Sequence, residues 1–264
     1  MISKMLDIPN EEYHKLPAVS SSGLVKLVQG TPAHYQAYLN EPREVTPAME
    51  LGTAIHAAVL EPDLFHATYI QKPEDMSFAT KEGKAWKEAN QGKKILTPEQ
   101  FRAVSRITDS VMAQPIASRV ILDGMKEKSF VWVDKETGIP CKCRPDIFAG
   151  NKVFDLKTTE DASARGFQRS IMSFGMHIQS AFYLMGVSEL LGEGVTDFIH
   201  IAVEKKPPYA VALYVLDDAS LERARLDIRK ALRTLAECEE TGKYPAYSEE
   251  IQTMNLPAWA FEEA

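Results

Sequence analysis

The first half of the chain carries the apolar spacing that is typical of helices. In residues 98–112, apolar side chains recur three and four positions apart, and Thr97 precedes them as a helix N-cap. Residues 51–60 are apolar apart from Thr53 and His56, which predicts a buried helix. Further helices are predicted for residues 20–30, around residues 34–38 and in the polar stretch 81–92.

Short runs rich in β-branched and aromatic residues begin after residue 128. Residues 129–134, 139–149 and 152–157 are separated by the turn pairs Thr137-Gly138 and Gly150-Asn151, which predicts an antiparallel meander of three strands. Beyond the meander, the pattern predicts helices at residues 162–173, 176–191 and 221–240, and strands at residues 195–203 and 210–216.

This order of elements predicts an α/β (α+β mixed) fold in which helices flank a central mixed β-sheet. Neither an internal repeat nor a clear interdomain linker interrupts the chain. We therefore expect one domain over residues 1–264. It comprises a helical part at about 1–125, a sheet core at about 126–216, and a C-terminal helix and tail at 217–264.

The turn at Gly150-Asn151 determines which side chains share a face of the sheet. Both residue types tolerate the positive φ of a two-residue hairpin turn. With this pair at the centre of the turn, Asp146 lies directly opposite Asp155. Lys157 joins the two carboxylates on the same face through the two-residue period of a strand.

The neighbouring residues complete the two faces of the predicted meander. We expect Lys142 and Arg144 on the face of the carboxylates, whereas the opposite face belongs to the core. Pro145 lacks a ladder donor and favours an edge or a bulge, but a bulge there leaves the carboxylates paired. The residues of the core face are Cys141, Cys143, Ile147, Phe154 and Leu156.

Opposed carboxylates repel each other unless a cation lies between them. Lys157 compensates for part of this repulsion. A divalent ion held by Asp146, Asp155 and the backbone carbonyl of Leu156 would compensate for more of it, leaving Lys157 to orient a water molecule or stabilise charge on a phosphate. An ordinary surface cluster of two aspartates and a lysine is the alternative interpretation.

Composition restricts the classes of function. The net charge of −7 argues against a non-specific nucleic-acid binder, because phosphate neutralisation dominates such binding, but it is compatible with an acidic metal site. Three cysteines are too few for a disulfide framework or a four-cysteine iron–sulfur cluster. Neither a membrane span nor a signal-peptide pattern is present, so we expect a cytoplasmic protein that acts away from membranes. The sequence also lacks the phosphate-binding loop of an ATPase.

The two halves of the predicted carboxylate site resemble a known signature. Pro145-Asp146, followed by Asp155-Leu156-Lys157, resembles the motif of the PD-(D/E)xK nuclease superfamily. Gln179 and Tyr183 resemble the Gln-x-x-x-Tyr helix motif of its RecB-like and exonuclease-like branches. Residues 52–56 resemble the upstream helix whose histidine joins the metal site in those branches.

Longer stretches are similar to the exonuclease VIII (RecE-type) branch of this superfamily. Together with the motifs they cover about residues 19–186, which is most of the chain. The similar stretches are residues 18–39, 51–65, 137–146 and 155–163.

The resemblance implies a restriction-endonuclease-like core and assigns roles to the site residues. It implies Mg²⁺ as cofactor, with Mn²⁺ as a substitute, and it implies that the helix pair Gln179 and Tyr183 positions phosphate or supports Lys157. The implied metal ligands are His56, Asp146, Asp155 and the carbonyl of Leu156. The implied catalytic residues are Asp146, Asp155, Lys157, Gln179 and Tyr183.

Three residues are candidates for contacts with the substrate. Ser20 and Ser22 begin a helix, where hydroxyl and free N–H groups bind a terminal phosphate or act as ordinary caps. Arg144 is expected on the face of the carboxylates. Glu127 is either a further carboxylate of the site or a solvated charge at the start of a strand.

The activity implied by the resemblance is ATP-independent exonuclease action on double-stranded DNA ends, in the 5′–3′ direction, with release of 5′-phosphorylated nucleotides. It also implies a ring-like homo-oligomer, a single-strand annealing protein as partner, and a role in recombination or phage-type DNA processing. A site- or structure-specific endonuclease with the same metal core is one alternative, because a fold does not determine where DNA is cut. A non-catalytic DNA-binding protein is the other.

Overall fold

The computed structural model describes residues 3–41, 46–192, 194–257 and 261. The helices of this part of the chain are α1 (Asn10–Lys15), α2 (Ser21–Gln29), α3 (Pro32–Asn40), α4 (Pro47–Leu60), α5 (Pro62–Thr68), α6 (Lys81–Ala89), α7 (Pro98–Ala113), α8 (Pro115–Asp123), α9 (Ala164–Ser173), α10 (Met176–Leu191) and α11 (Asp218–Thr241). Its strands are β1 (Lys4–Leu6), β2 (Tyr69–Gln71), β3 (Lys94–Leu96), β4 (Met125–Lys126), β5 (Ser129–Val133), β6 (Pro140–Cys143), β7 (Ile147–Ala149), β8 (Lys152–Thr159), β9 (Asp197–Glu204) and β10 (Val211–Val215).

The strands form a central mixed sheet and two smaller sheets. The central sheet has the order β10-β9-β8-β7-β4, in which β8 and β9 are parallel and the other pairs are antiparallel. A second sheet has the order β1-β5-β6, and β2 pairs with β3 in a parallel two-stranded sheet. The predicted mixed α/β fold with a sheet flanked by helices is confirmed.

The predicted single meander is wrong, because its second strand is divided between two sheets. β5 and β6 pair with each other, but β6 ends at Cys143 and a new strand, β7, begins at Ile147. Pro145, between them, has no N–H group for a ladder. The break therefore separates the predicted strand 139–149 into β6 and β7.

The break also changes which residues share a core. Cys141 and Cys143 lie in the same buried cluster as Phe148 and Val153. The predicted companions of the two cysteines, Ile147, Phe154 and Leu156, lie in a second cluster. The expected common face is therefore wrong for the cysteines and correct for the other three residues.

Two apolar cores cover the two faces of the central sheet. One core packs Val153 and Phe198 of the sheet against α2, α10 and α11. The other packs Phe154 and Leu156 against α4, α7 and α8. Because side chains alternate along β8, Asp155 faces the side of the sheet that α10 covers.

The helix predictions are largely confirmed. Helix α10 has the predicted bounds, α4 contains the buried stretch 51–60, and Thr97 caps α7 in a capping box with Gln100. Elements that sequence patterns did not indicate are the short ones: α1, α5, α8 and β1 to β4. Within the described residues, none of the helices combines the length and apolarity needed to cross a membrane.

Gly186 allows α10 to approach β5 closely, and this contact yields a stability prediction. A Cβ atom at Gly186 would lie 2.3 Å from Cζ3 of Trp132. A Cβ atom at Gly52 in α4 would have no neighbouring atom within 4 Å. We expect Gly186→Ala to lower the free energy of unfolding by about 1–3 kcal/mol through overpacking. The matched change Gly52→Ala should raise it by about 0.5–1 kcal/mol, because alanine is the better helix former. Urea denaturation of both variants checks the pair, and equal effects would contradict the close contact.

Candidate active site

A cavity of about 1560 Å³ lies beside the central sheet, next to strands β7 and β8. Four of the predicted catalytic and metal-binding residues line this cavity. They are His56, Asp146, Lys157 and Tyr183. The cavity is therefore the candidate substrate site.

Asp146 lies at the break between β6 and β7, just before the first residue of β7. The observed pairing of Ile147 with Phe154 has the predicted register, so Asp146 comes opposite Asp155. Its buried Oδ2 accepts a 2.7 Å hydrogen bond from the N–H of Leu156. Burial, with the nearby negative charge of Asp155, raises the pKa of Asp146 to about 8.

Asp155 is buried in the middle of β8 and is held from two directions. Its Oδ1 accepts a 2.8 Å hydrogen bond from Nε2 of Gln179. Its buried Oδ2 lies 2.5 Å from Nζ of Lys157, which is hydrogen-bonded to this carboxylate. Burial alone would lower the pKa of Lys157, but Asp155 and Asp146 outweigh burial and raise it. Lys157 is therefore a cation beside two carboxylates.

Helix α10 supplies the residues that support Asp155 from the other side. Gln179 lies on the first turn of α10, and Tyr183 one turn later, so both face β8. Gln179 is hydrogen-bonded to the hydroxyl of Tyr183 as well as to Asp155. The Tyr183 ring packs edge-on against Phe198 of β9, and burial raises the pKa of its hydroxyl well above the ordinary value. This chain of contacts sets the orientation of the Asp155 carboxylate.

His56 of α4 approaches the site from the side of the second core. Its Nδ1 lies 3.5 Å from Oδ2 of Asp146, and its ring is hydrogen-bonded to the backbone of Leu156. Burial and the positive charge of Lys157 lower its pKa. His56, Asp146 and the Leu156 backbone therefore meet at one point, as the sequence predicts.

The donor set fits a hard divalent cation. Among the residues described, no three His, Cys, Asp or Glu side chains form a complete protein cage for a metal. Mg²⁺ does not require one, because it keeps several waters and binds through one or two carboxylates. The paired carboxylates of Asp146 and Asp155 supply such ligands, and Lys157 is the group that contacts the buried Oδ2 of Asp155.

Ser20 and Ser22 both line the cavity. Ser20 caps α2, since its Oγ accepts a hydrogen bond from the N–H of Gly23 at 3.4 Å. Ordinary capping, one of the two interpretations of the sequence, is thus present. Binding of a terminal phosphate by these serines stays a prediction.

Lys142 was expected beside the carboxylates, but its ammonium group is directed to the N-terminal segment. It donates hydrogen bonds of 3.0, 3.1 and 2.8 Å to the backbone carbonyls of Tyr13, His14 and Leu16 at the end of α1. The expected position is wrong because β6 and β7 lie in different sheets. A lysine between two buried cysteines was the sequence signal for such an anchor.

Arg144 also anchors the N-terminal segment. Its Nε lies 2.6 Å from Oε2 of Glu127, and its Nη1 donates to the carbonyl of Ile8 at 2.7 Å and to Oγ of Ser129 at 3.0 Å. Burial and the charge of Asp146 raise the pKa of Glu127 to about 7, against the effect of Arg144. A contact of Arg144 with the substrate stays a prediction.

Sequence patterns missed the N-terminal wall of the cavity. Residues 7–10, 13–14 and 16–19 line it, although they carry no motif of the predicted site. Short elements such as α1 and β1 leave too little periodicity to be recognised. The wall depends on long-range bonds from β6 and the adjoining loop.

Comparison with known proteins identifies the family. The model of the PDDEXK-like domain of unknown function (DUF3799) matches residues 20–257. The chain belongs to this PDDEXK-like family. The resemblance to the PD-(D/E)xK superfamily is therefore confirmed.

Solved structures are similar to this PDDEXK-like protein to different degrees. A crystal structure described as "Putative exonuclease" from Eubacterium rectale has a TM-score of 0.65 at 14% identity, covering 97% of this chain and 98% of that one. An alkaline exonuclease (LHK-Exo) from Laribacter hongkongensis has a TM-score of 0.40 at 16% identity, with 88% and 96% covered. No curated protein matches this chain. The first similarity shows that the shared fold extends over nearly the whole length.

The raised pKa of Asp146 predicts a pH-dependent gain of stability in Asp146→Asn. The carboxyl has a pKa of about 8 in the folded protein and an ordinary value near 4 in the unfolded chain. The folded protein therefore binds more protons between these pH values, and its stability falls as pH rises through them. In the presence of a chelator, the gain from Asp146→Asn should grow from near zero at pH 4 to at least about 1 kcal/mol at pH 8.

The control is Asp197→Asn, because the hydrogen bond from Lys152 lowers the pKa of Asp197. This variant should lose stability above pH 4. A pH-independent difference between wild type and Asp146→Asn would contradict the burial and repulsion inferred for Asp146. Denaturant unfolding at a series of pH values measures both.

Proposed function

We propose that the protein is a divalent-metal-dependent deoxyribonuclease that degrades linear double-stranded DNA from its ends without ATP. The observation that carries this proposal is that Asp146 and Lys157 line the cavity while Lys157 pairs with the buried Asp155, which Gln179 holds. Membership of the PDDEXK-like family supports the same chemistry.

Each residue of the site has a role in the proposed hydrolysis. Asp146, Asp155 and the carbonyl of Leu156 would hold Mg²⁺ or Mn²⁺, with His56 as a further ligand or as an organiser of water. When bound, the metal supplies a Lewis acid that polarises the scissile phosphate and activates water. Lys157 supplies a positive charge where negative charge develops on the phosphate.

Gln179 and Tyr183 act as positioning residues in this proposal. The amide of Gln179 prevents rotation of the Asp155 carboxylate, and Tyr183 in turn holds Gln179. A carboxylate fixed in advance does not have to reorganise when the phosphate arrives. The residues of α10 therefore contribute orientation, while those of β7 and β8 contribute charge.

End-dependent action is supported by the similarity of residues 18–39 and 51–65 to the exonuclease VIII branch. The proposal includes 5′–3′ polarity, a ring-like homo-oligomer and a single-strand annealing protein as partner in recombination or phage-type DNA processing. The structure from Eubacterium rectale that shares the fold is described as a "Putative exonuclease", which supports the same proposal.

Asp155 and Lys157 should have separable effects on metal binding and on turnover. Asp155→Asn removes a metal ligand, so cleavage should be abolished and Mg²⁺ binding should weaken in calorimetric titration. Lys157→Ala should lower turnover at least about 100-fold, or 2.7 kcal/mol, while Mg²⁺ binds at least as tightly, because a competing cation is gone.

Lys152→Ala is the control, since Lys152 lies on the same strand but pairs with Asp197 outside the site. It should leave turnover within about twofold of wild type, as surface substitutions do. Near-wild-type activity in Asp155→Asn, or equal loss of metal binding in Lys157→Ala, would contradict the assigned roles.

Linear duplex should be degraded with Mg²⁺ and without ATP to mononucleotides or very short products, while covalently closed circles persist. An enzyme that starts at an end must dock a terminus before the metal site reaches a phosphate. Gel analysis of both substrates measures this difference. Circles cut at discrete positions would favour the endonuclease alternative, and binding of duplex without cleavage would favour the non-catalytic one.

A further inference from the structure

Lysines are concentrated in the region of β2, α6 and β3. Residues 72–94 contain six of the 19 lysines of the chain and four acidic residues, so this segment is positive although the whole chain carries −7. Five of the six side chains are exposed. These five, called the lysine face below, are Lys81, Lys84, Lys87, Lys93 and Lys94.

The lysine face is not neutralised by neighbouring carboxylates. In the part of the chain that the structure describes, no residue of this face forms an ion pair with an acidic side chain within 4.0 Å. Lysines elsewhere do so, for example Lys135 with Glu189 at 2.9 Å and Lys152 with Asp197 at 2.5 Å. The ammonium groups of the lysine face therefore remain available to an external anion.

The first three lysines project from one side of α6. Lys81, Lys84 and Lys87 are three residues apart, and residues at this spacing are neighbours on a helix surface. The helix packs closely on the preceding loop at Gly83, where a Cβ atom would lie 2.0 Å from the carbonyl oxygen of Ser77. The three lysine side chains are exposed.

A stacked aromatic pair joins α6 to the loop that precedes it. Phe78 stacks on Trp86 of α6 with ring centroids 6.2 Å apart. The Nζ atoms of Lys72 and Lys87 lie 5.3 and 5.7 Å from the centroid of the Phe78 ring. A cation over a ring is stabilised but keeps its charge, so two positive groups meet at this ring.

The lysine face adjoins the cavity of the proposed active site through α5. Leu64 of α5 lines the cavity. Two residues later in the same helix, the carbonyl of His66 accepts a 3.0 Å hydrogen bond from Nζ of Lys93. Two residues of a helix rise only about 3 Å, so the face begins close to the rim of the cavity.

We propose that the lysine face binds the phosphodiester backbone of the DNA that extends beyond the catalytic cavity. This inference rests on the proposed function, because it assigns the part of the substrate outside the cleft. Lysine suits this task, since its ammonium is a point charge that binds phosphate without reading sequence. The acidic outer surface would repel DNA elsewhere, so a local positive face also determines the direction in which the duplex lies.

The test is the triple substitution Lys81→Gln, Lys84→Gln and Lys87→Gln. Glutamine keeps the helix propensity and removes three charges. With a 30-base-pair duplex, we expect KM to rise about tenfold with kcat unchanged, because the lost contacts are the same in ground and transition states. DNA binding can be measured without cleavage by fluorescence anisotropy in the presence of a chelator. The slope of log affinity against log salt concentration should be smaller in magnitude by about 2–3 for the triple variant than for the wild type.

The matched control is the triple substitution Lys4→Gln, Lys230→Gln and Lys243→Gln, which removes three exposed lysines elsewhere. It should keep the wild-type KM and salt slope.

If the two triple variants behave alike while the wild type degrades duplex, the lysine face is not a DNA-binding surface and the proposed function stands. If the wild type neither binds nor cleaves duplex, the proposed function and this inference both fail. If the wild type binds without cleaving and only the first variant loses salt slope, the surface is supported independently of catalysis.

Discussion

The repulsion between two buried carboxylates is the constraint around which this structure is organised. Asp146 and Asp155 approach each other across the junction of β7 and β8, where burial makes charge repulsion stronger than in water. The surrounding groups reduce that repulsion or fix the carboxylates in place. The N–H of Leu156 binds Asp146, and Lys157 and Gln179 hold Asp155. With Lys157 alone the arrangement remains costly, and it is suited to binding a metal cation as well.

The break in the strand at Pro145 places Asp146 in this arrangement. A continuous strand would direct the Asp146 side chain as an ordinary member of a ladder. Instead, the chain leaves one sheet after Cys143 and enters another at Ile147, and Asp146 binds the backbone of β8 through its side chain. Arg144 and Glu127 stabilise the junction, with the N–H of Glu127 donating to the carbonyl of Asp146. The site therefore lies where two sheets meet.

Local patterns were sufficient to predict the hairpin register and the long helices. The turn at Gly150-Asn151 placed Asp146 opposite Asp155 by counting residues, and the spacing of apolar residues delimited α10. The division of β6 from β7 was not predictable in this way, because it depends on the long-range bonds of Lys142 and Arg144 to the N-terminal segment. That segment precedes residue 20, where the family match begins, and nevertheless forms a wall of the cavity.

In the proposed site, one divalent ion binds between Asp146 and Asp155. Anomalous scattering from a crystal of the protein with Mn²⁺ would locate this ion. We expect an anomalous peak about 2.1 Å from an oxygen of each carboxylate and within reach of the Leu156 carbonyl. A structure in which Mn²⁺ is bound elsewhere, while Nζ of Lys157 remains against Asp155 and no peak lies between the carboxylates, would contradict the claim.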